Sequence, residues 1–207
     1  MPLYRDRAEA GARLAAELAG RDLADPVVLG LPRGGVPVAA PVAAALGAPL
    51  DVLVARKIGA PGQPELGVGA VAEGGDPVWN TDLLDRLGLT PERLAPTVER
   101  ERLELVRRVF TYRGDRAPVD VRGRTAVLVD DGLATGITAR AAVAALRARA
   151  AALVVVAVPV AAPGVDATLD ADEVIALAMP WHFSSVGTHY GDFRQTTDDE
   201  VIRLLTP

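Results

Sequence analysis

The sequence predicts an α/β fold: an open sheet of about five mostly parallel strands flanked by helices. Three observations predict it. Short apolar runs at residues 27–31, 52–55, 125–129, 153–158 and 173–177 alternate with segments of helical period. The runs lack a polar face, as strands covered on both sides do. The chain, with 207 residues and 50% hydrophobic content, suits one sizeable domain, residues 1–207, packed largely through Ala and Val.

The elements follow in order. Residues 5–20 carry apolar side chains at helical spacing and end at a glycine. Pro26 precedes the first strand, residues 32–35 form a turn, and residues 36–46 form the next helix. The second strand spans residues 52–55 and leads into an insertion, about residues 58–115. Residues 58–76 are rich in Gly and Pro and predict a loop with short strands. Residues 79–88 and 90–110 predict two helices, the second opened by Thr90-Pro91. After the last strand, an irregular hood-like tail of residues 180–207 ends in a short helix near residues 197–205.

Composition narrows function. A net charge of −5 argues against a broad nucleic-acid surface. There is no cysteine, hence no disulfide, thiolate nucleophile or Cys-type zinc site. The first residues lack an apolar signal core, and no apolar run reaches the ~20 residues of a membrane helix. The expected location is cytoplasmic, without a membrane partner. Lys57 is the only lysine in the chain.

The chemistry concentrates in TAVLVDDGLATGIT, residues 125–138. A buried strand ends in Asp130 and Asp131. The turn Gly132, Leu133, Ala134, Thr135, Gly136, Ile137, Thr138 then opens an Ala-rich helix of residues 139–149. Amides and hydroxyls at a helix N-terminus make an anion site. Two carboxylates repel phosphate but suit sugar hydroxyls, or a Mg²⁺ ion carried by the ligand. One loop with both ends describes a ribose 5-phosphate binder. A Walker A reading fails because Ile137, not Lys, follows Gly136. Residues 67–72 fit a loose GxGxxA pattern but open no helix after a first strand.

This stretch resembles the signature of type I phosphoribosyltransferases, which grip 5-phosphoribosyl-1-diphosphate (PRPP). The resemblance covers nearly the whole chain. It implies that Asp130 and Asp131 hold the ribose 2- and 3-hydroxyls, and Mg²⁺ through PRPP, directly or by water. Gly132 belongs to the same PRPP-binding turn, whose residues Ala134, Thr135, Gly136, Ile137 and Thr138 wrap the 5-phosphate. It implies that Arg33, Gly34 and Gly35 contact pyrophosphate. Arg56 and Lys57, read as closing the second strand, resemble the Arg-Lys pair that opens a mobile loop, here residues 59–75, which closes over the site. The catalytic group so implied is Arg33, Arg56, Lys57 and Asp131.

The tail concentrates aromatic residues scarce elsewhere, which suggests stacking on a planar base. It resembles the 6-oxopurine branch, with Phe183 as stacker, Trp181 in reserve and Asp192 as the candidate acid. Against that branch, Ala134 stands where an acid is usual, and Val158-Pro159-Val160 where a lysine is usual. The acceptor is left open. The expected activity is transfer of ribose 5-phosphate from PRPP to a nitrogen acceptor, a nucleobase, releasing pyrophosphate for nucleotide salvage. A homodimer is the family habit. Two alternatives remain: a PRPP- or nucleotide-sensing regulator of the same fold, and a hydrolase or phosphorylase of ribose phosphates.

Overall fold

A computed structural model describes residues 2–206. Helix α1 (Arg7–Leu18) begins where the Asp6 side chain accepts the Glu9 amide. Strand β1 (Pro26–Gly30) and helix α2 (Gly35–Leu46) follow, then the short strand β2 (Leu50–Val52). Next come β3 (Ala55–Ala60), β4 (Gln63–Ala72), β5 (Val78–Trp79), α3 (Thr81–Leu87) and the long α4 (Pro91–Arg113). The chain closes with β6 (Thr125–Val129), α5 (Ile137–Ala148), β7 (Leu153–Val160), β8 (Glu173–Ala178) and α6 (Asp198–Leu205).

The main sheet has the order β2-β1-β6-β7-β8, and every pairing in it is parallel. Period-2 alternation divides each strand between two buried faces. Ala126 and Leu128 pack toward Ala139, Ala142, Val143 and Leu146 of α5. Val127 and Val129 pack with Leu14 and Leu18 of α1 and with Val38 and Val42 of α2. This is why the strands read as unbroken apolar runs.

Where the insertion begins, the structure differs from the sequence reading. The run of residues 52–55 is not one strand. Leu50–Val52 stays in the main sheet, and Ala55–Ala60 opens a second sheet of order β3-β4-β5, all antiparallel. Leu53 and Val54 are buried like their neighbours, so hydrophobicity could not mark the break. The expected loop of residues 59–75 is mostly the β3–β4 hairpin, turning at Pro61 and Gly62. Trp79, expected to start a helix, belongs with Val78 to the edge strand β5, and Asn80 caps α3 by accepting the Leu83 amide at 3.1 Å.

The second sheet is covered on both sides. Ile58, Val68 and Val71 pack with Leu94, Val98 and Leu105 of α4. Ala70 and Ala72 pack with Ile137, Ala141 and Ala145 of α5. A buried ion cluster fixes the arrangement. Arg113 donates from Nη2 to the Val52 carbonyl at 2.8 Å, from Nε to Asp51 Oδ2 at 3.2 Å, and from Nη1 to Glu73.

Candidate functional site

Strands β1 and β6 are paired in register, with Gly30 opposite Val129, and Leu31 donates its amide to the Val129 carbonyl at 2.8 Å. The turn of residues 32–35 therefore lies beside the loop of residues 130–138, both at the carboxyl ends of parallel strands. The two loops touch. A Cβ on Gly34 would fall 2.0 Å from Asp131 Oδ2, and one on Gly35 would fall 2.9 Å from the Cα of Asp130. The sequence suggested that these glycines admit a ligand; in the structure they admit the acidic loop.

The loop is tied down at its middle. Leu133 donates to the Val160 carbonyl at 2.9 Å, and Ala162 donates to the Leu133 carbonyl at 2.8 Å. Gly132 sits under Val186 of the tail. Gly136 has φ 68°, the left-handed region, and precedes the first turn of α5 without any side-chain cap. Among the described residues, no backbone amide from 134 to 138 donates in a turn or loop hydrogen bond. Ala134 and Thr135 are exposed and Thr138 is half-buried. The helix N-terminus is uncapped and has no acid in its first turn, which leaves amides able to meet an anion.

The two acids differ in their partners. Asp130 Oδ1 accepts the Asp131 amide at 2.8 Å. Asp131 Oδ2 accepts from Arg7 Nε and lies against Arg7 Nη2, both at 2.8 Å. Burial pushes both carboxyls above the usual range, Asp130 furthest, with the Asp131 charge adding to the effect. Arg7 pulls Asp131 back down. Tyr190 donates its hydroxyl to the Asp131 carbonyl at 2.6 Å.

The profile of the phosphoribosyl transferase domain matches residues 4–190, spanning both loops. The chain belongs to the phosphoribosyl transferase family. It is 47% identical over 207 residues to Rv0571c of Mycobacterium tuberculosis H37Rv and to MT0597 of strain CDC 1551, each named a candidate phosphoribosyl transferase. The match takes in 99% of this chain and 47% of each relative, so the chain spans about half their length. The crystal structure of TT1426 from Thermus thermophilus is 46% identical, covers 99% of this chain and 98% of its own, and superposes with a TM-score of 0.83. The fold is that of the type I phosphoribosyltransferases.

The cations expected beside this loop are dispersed. Arg56 and Lys57 lie within β3 of the second sheet, not at the end of a parallel strand, so they face opposite ways. Arg56 turns to α4 and donates from Nε and Nη2 to Glu101 Oε2 at 3.0 and 2.7 Å. Lys57 turns to α5. Its stem passes over Gly67, where a Cβ would lie 2.8 Å from Lys57 Cδ and 3.6 Å from Ile137 Cγ2. Its ammonium donates to the Glu65 carbonyl at 2.8 Å. Arg33 is 3.5 Å from Asp198 at the start of α6. The pair does not converge on one anion as the sequence suggested, because alternation along a strand separates neighbours.

The tail also departs from expectation. Phe183 stacks on His189, centroids 5.4 Å apart, and packs against the cluster of Tyr4, Ala10, Val160 and Tyr190. That ring face is therefore taken. Trp181 is 92% exposed. Asp192 is held by Arg194 Nη2 at 2.7 Å, and that bond keeps its carboxyl below the ordinary range. Arg7 is the residue that sequence reasoning missed. Only its place within the opening helix was readable, 124 residues from its partner, and that carries no signal.

No described group of three or more His, Cys, Asp or Glu could hold a metal alone. Two adjacent carboxylates suit a Mg²⁺ ion that arrives on a diphosphate and keeps water in its shell. No described helix is long and apolar enough to cross a membrane.

Proposed function

We propose that the chain transfers a 5-phosphoribosyl group from PRPP to a nitrogen acceptor, a nucleobase, with release of pyrophosphate. One observation carries the reading: an acidic pair and an uncapped helix N-terminus stand at the two ends of a single pinned loop. The α5 amides and Thr138 take the 5-phosphate. Asp130 and Asp131 accept the ribose hydroxyls, as ionised carboxylates do most strongly. Lys57 and Arg33 reach the diphosphate, whose charge grows as it leaves.

The acceptor nitrogen's lone pair forms a bond to the anomeric carbon as the bond to the diphosphate oxygen breaks. The acceptor nitrogen then gives up its proton to the departing pyrophosphate or to water. Asp130 and Asp131 would hold a Mg²⁺ ion carried by PRPP, and that ion would supply charge stabilisation on the diphosphate. The chain itself contributes mainly positioning. Trp181, exposed in the tail, is an aromatic face open to a planar acceptor.

A second reading has support of its own. Arg33, Arg56 and Lys57 each already face a carboxylate, from Asp198, Glu101 and Glu65. A chain that senses PRPP without turning it over fits those pairings. Assaying pyrophosphate release from Mg²⁺–PRPP across a panel of nucleobases separates the two. Release with one base supports transfer. PRPP binding without release on any base contradicts transfer and favours the sensor.

A further inference from the structure

We infer that Arg7 is a positioning residue for the sugar: its guanidinium holds the Asp131 carboxylate in the one orientation that leaves an oxygen free for a ribose hydroxyl. This rests on the PRPP-site reading above.

The geometry is specific. Nε and Nη2 of Arg7 both go to one oxygen, Asp131 Oδ2, at 2.8 Å. Asp131 Oδ1 accepts no protein hydrogen bond among the described residues. The fork thus fixes the plane of the carboxylate while occupying half of it. A third nitrogen of Arg7 is also engaged: Nη1 donates to the Arg194 carbonyl at 2.7 Å. The guanidinium carbon lies 3.9 Å from the centre of the Phe193 ring, a cation–π contact. Held on three sides, the group has little freedom, so the carboxylate it grips has little either.

Both side chains are mostly withdrawn from water, with 12% of Arg7 and 16% of Asp131 exposed. Solvent screening is weak there, and the contact holds at physiological salt. The adjoining backbone makes room for it. A Cβ on Gly34 would also come within 3.2 Å of Arg7 Nε. The same guanidinium joins the acidic pair to tail residues 193 and 194, so the sugar site and the hood share one fastening.

The test uses calorimetry on the whole chain with three probes in the presence of Mg²⁺: PRPP, ribose 5-phosphate and inorganic pyrophosphate. Arg7→Ala is expected to weaken the two sugar ligands about tenfold or more, the scale of a charged hydrogen bond, and pyrophosphate less than about twofold. Arg7→Lys keeps the charge without the fork and is expected to recover only part of the loss. Should Arg7→Ala fail to fold, Arg7→Lys carries the comparison. Sugar-selective loss supports the inference. Equal loss for all three probes, or none, overturns it and leaves the site reading intact. If the unmodified chain binds none of the probes, the site reading fails and this inference falls with it.

Discussion

Asp130 accepts the amide of Asp131 through Oδ1 at 2.8 Å, while the cation beside the pair, Arg7, serves Asp131 alone. Asp130 thus carries the cost of burial with no hydrogen-bonded cation, and the nearby charge of Arg7 offsets only a minor part of it. Its carboxyl titrates higher folded than unfolded, so the native state loses stability as pH rises from the ordinary carboxylate range through that raised value. Asp130→Asn keeps the acceptor and removes the charge. Its melting temperature is expected to exceed that of the unmodified chain at neutral pH. The gain should vanish below about pH 4, where both carry no charge. PRPP affinity is expected to fall about tenfold or more. Thermal melts across pH check the first part; a variant that melts lower at neutral pH would contradict it.

Arg113 anchors the join between the two sheets. It is 5% exposed and meets Asp51, Glu73 and the Val52 carbonyl. Replacing it by Ala leaves two acids without their cation, and breaking such a buried cluster costs about 3–5 kcal/mol. Urea unfolding measures this. A change below about 1 kcal/mol would show that the acids find other partners.

Arg56 and Lys57 are expected to separate in function because they lie on opposite faces of β3. Lys57→Ala should weaken pyrophosphate and PRPP about tenfold, as loss of a charged contact does. Arg56→Ala should change ligand affinity less than about threefold but destabilise the chain by about 1–3 kcal/mol, since Glu101 loses its partner. Equal ligand losses in the two variants would show that both reach the diphosphate.

Trp181 makes the opposite prediction. At 92% exposure its replacement by Ala should alter stability by less than about 0.5 kcal/mol. If it stacks on the acceptor, base affinity should fall by about 1–3 kcal/mol. Measured base affinity that does not move would remove Trp181 from the acceptor site.

How far these features were legible depends on where their partners lie in the chain. The loop of residues 130–138 was readable because strand, acids, turn and helix are consecutive, and each leaves its own local mark. The five strands were readable because parallel strands covered on both faces have unbroken apolar runs. The split between β2 and β3 was hidden by the continuous apolar stretch Val52, Leu53, Val54, Ala55. The β3–β4 hairpin was hidden because the face it turns to α5 is built from Gly67, Ala70 and Ala72, which look like loop residues until α5 is seen against them. Arg7 and Glu101 were invisible, since each meets its partner, Asp131 or Arg56, only in the folded chain.

A crystal structure of the chain with ribose 5-phosphate tests the sugar-phosphate site most directly. The predicted result is a phosphate within about 3 Å of the amides of residues 135–138, and ribose hydroxyls on the carboxylates of Asp130 and Asp131. A sugar phosphate bound away from this loop, or with its hydroxyls turned from both acids, would contradict it.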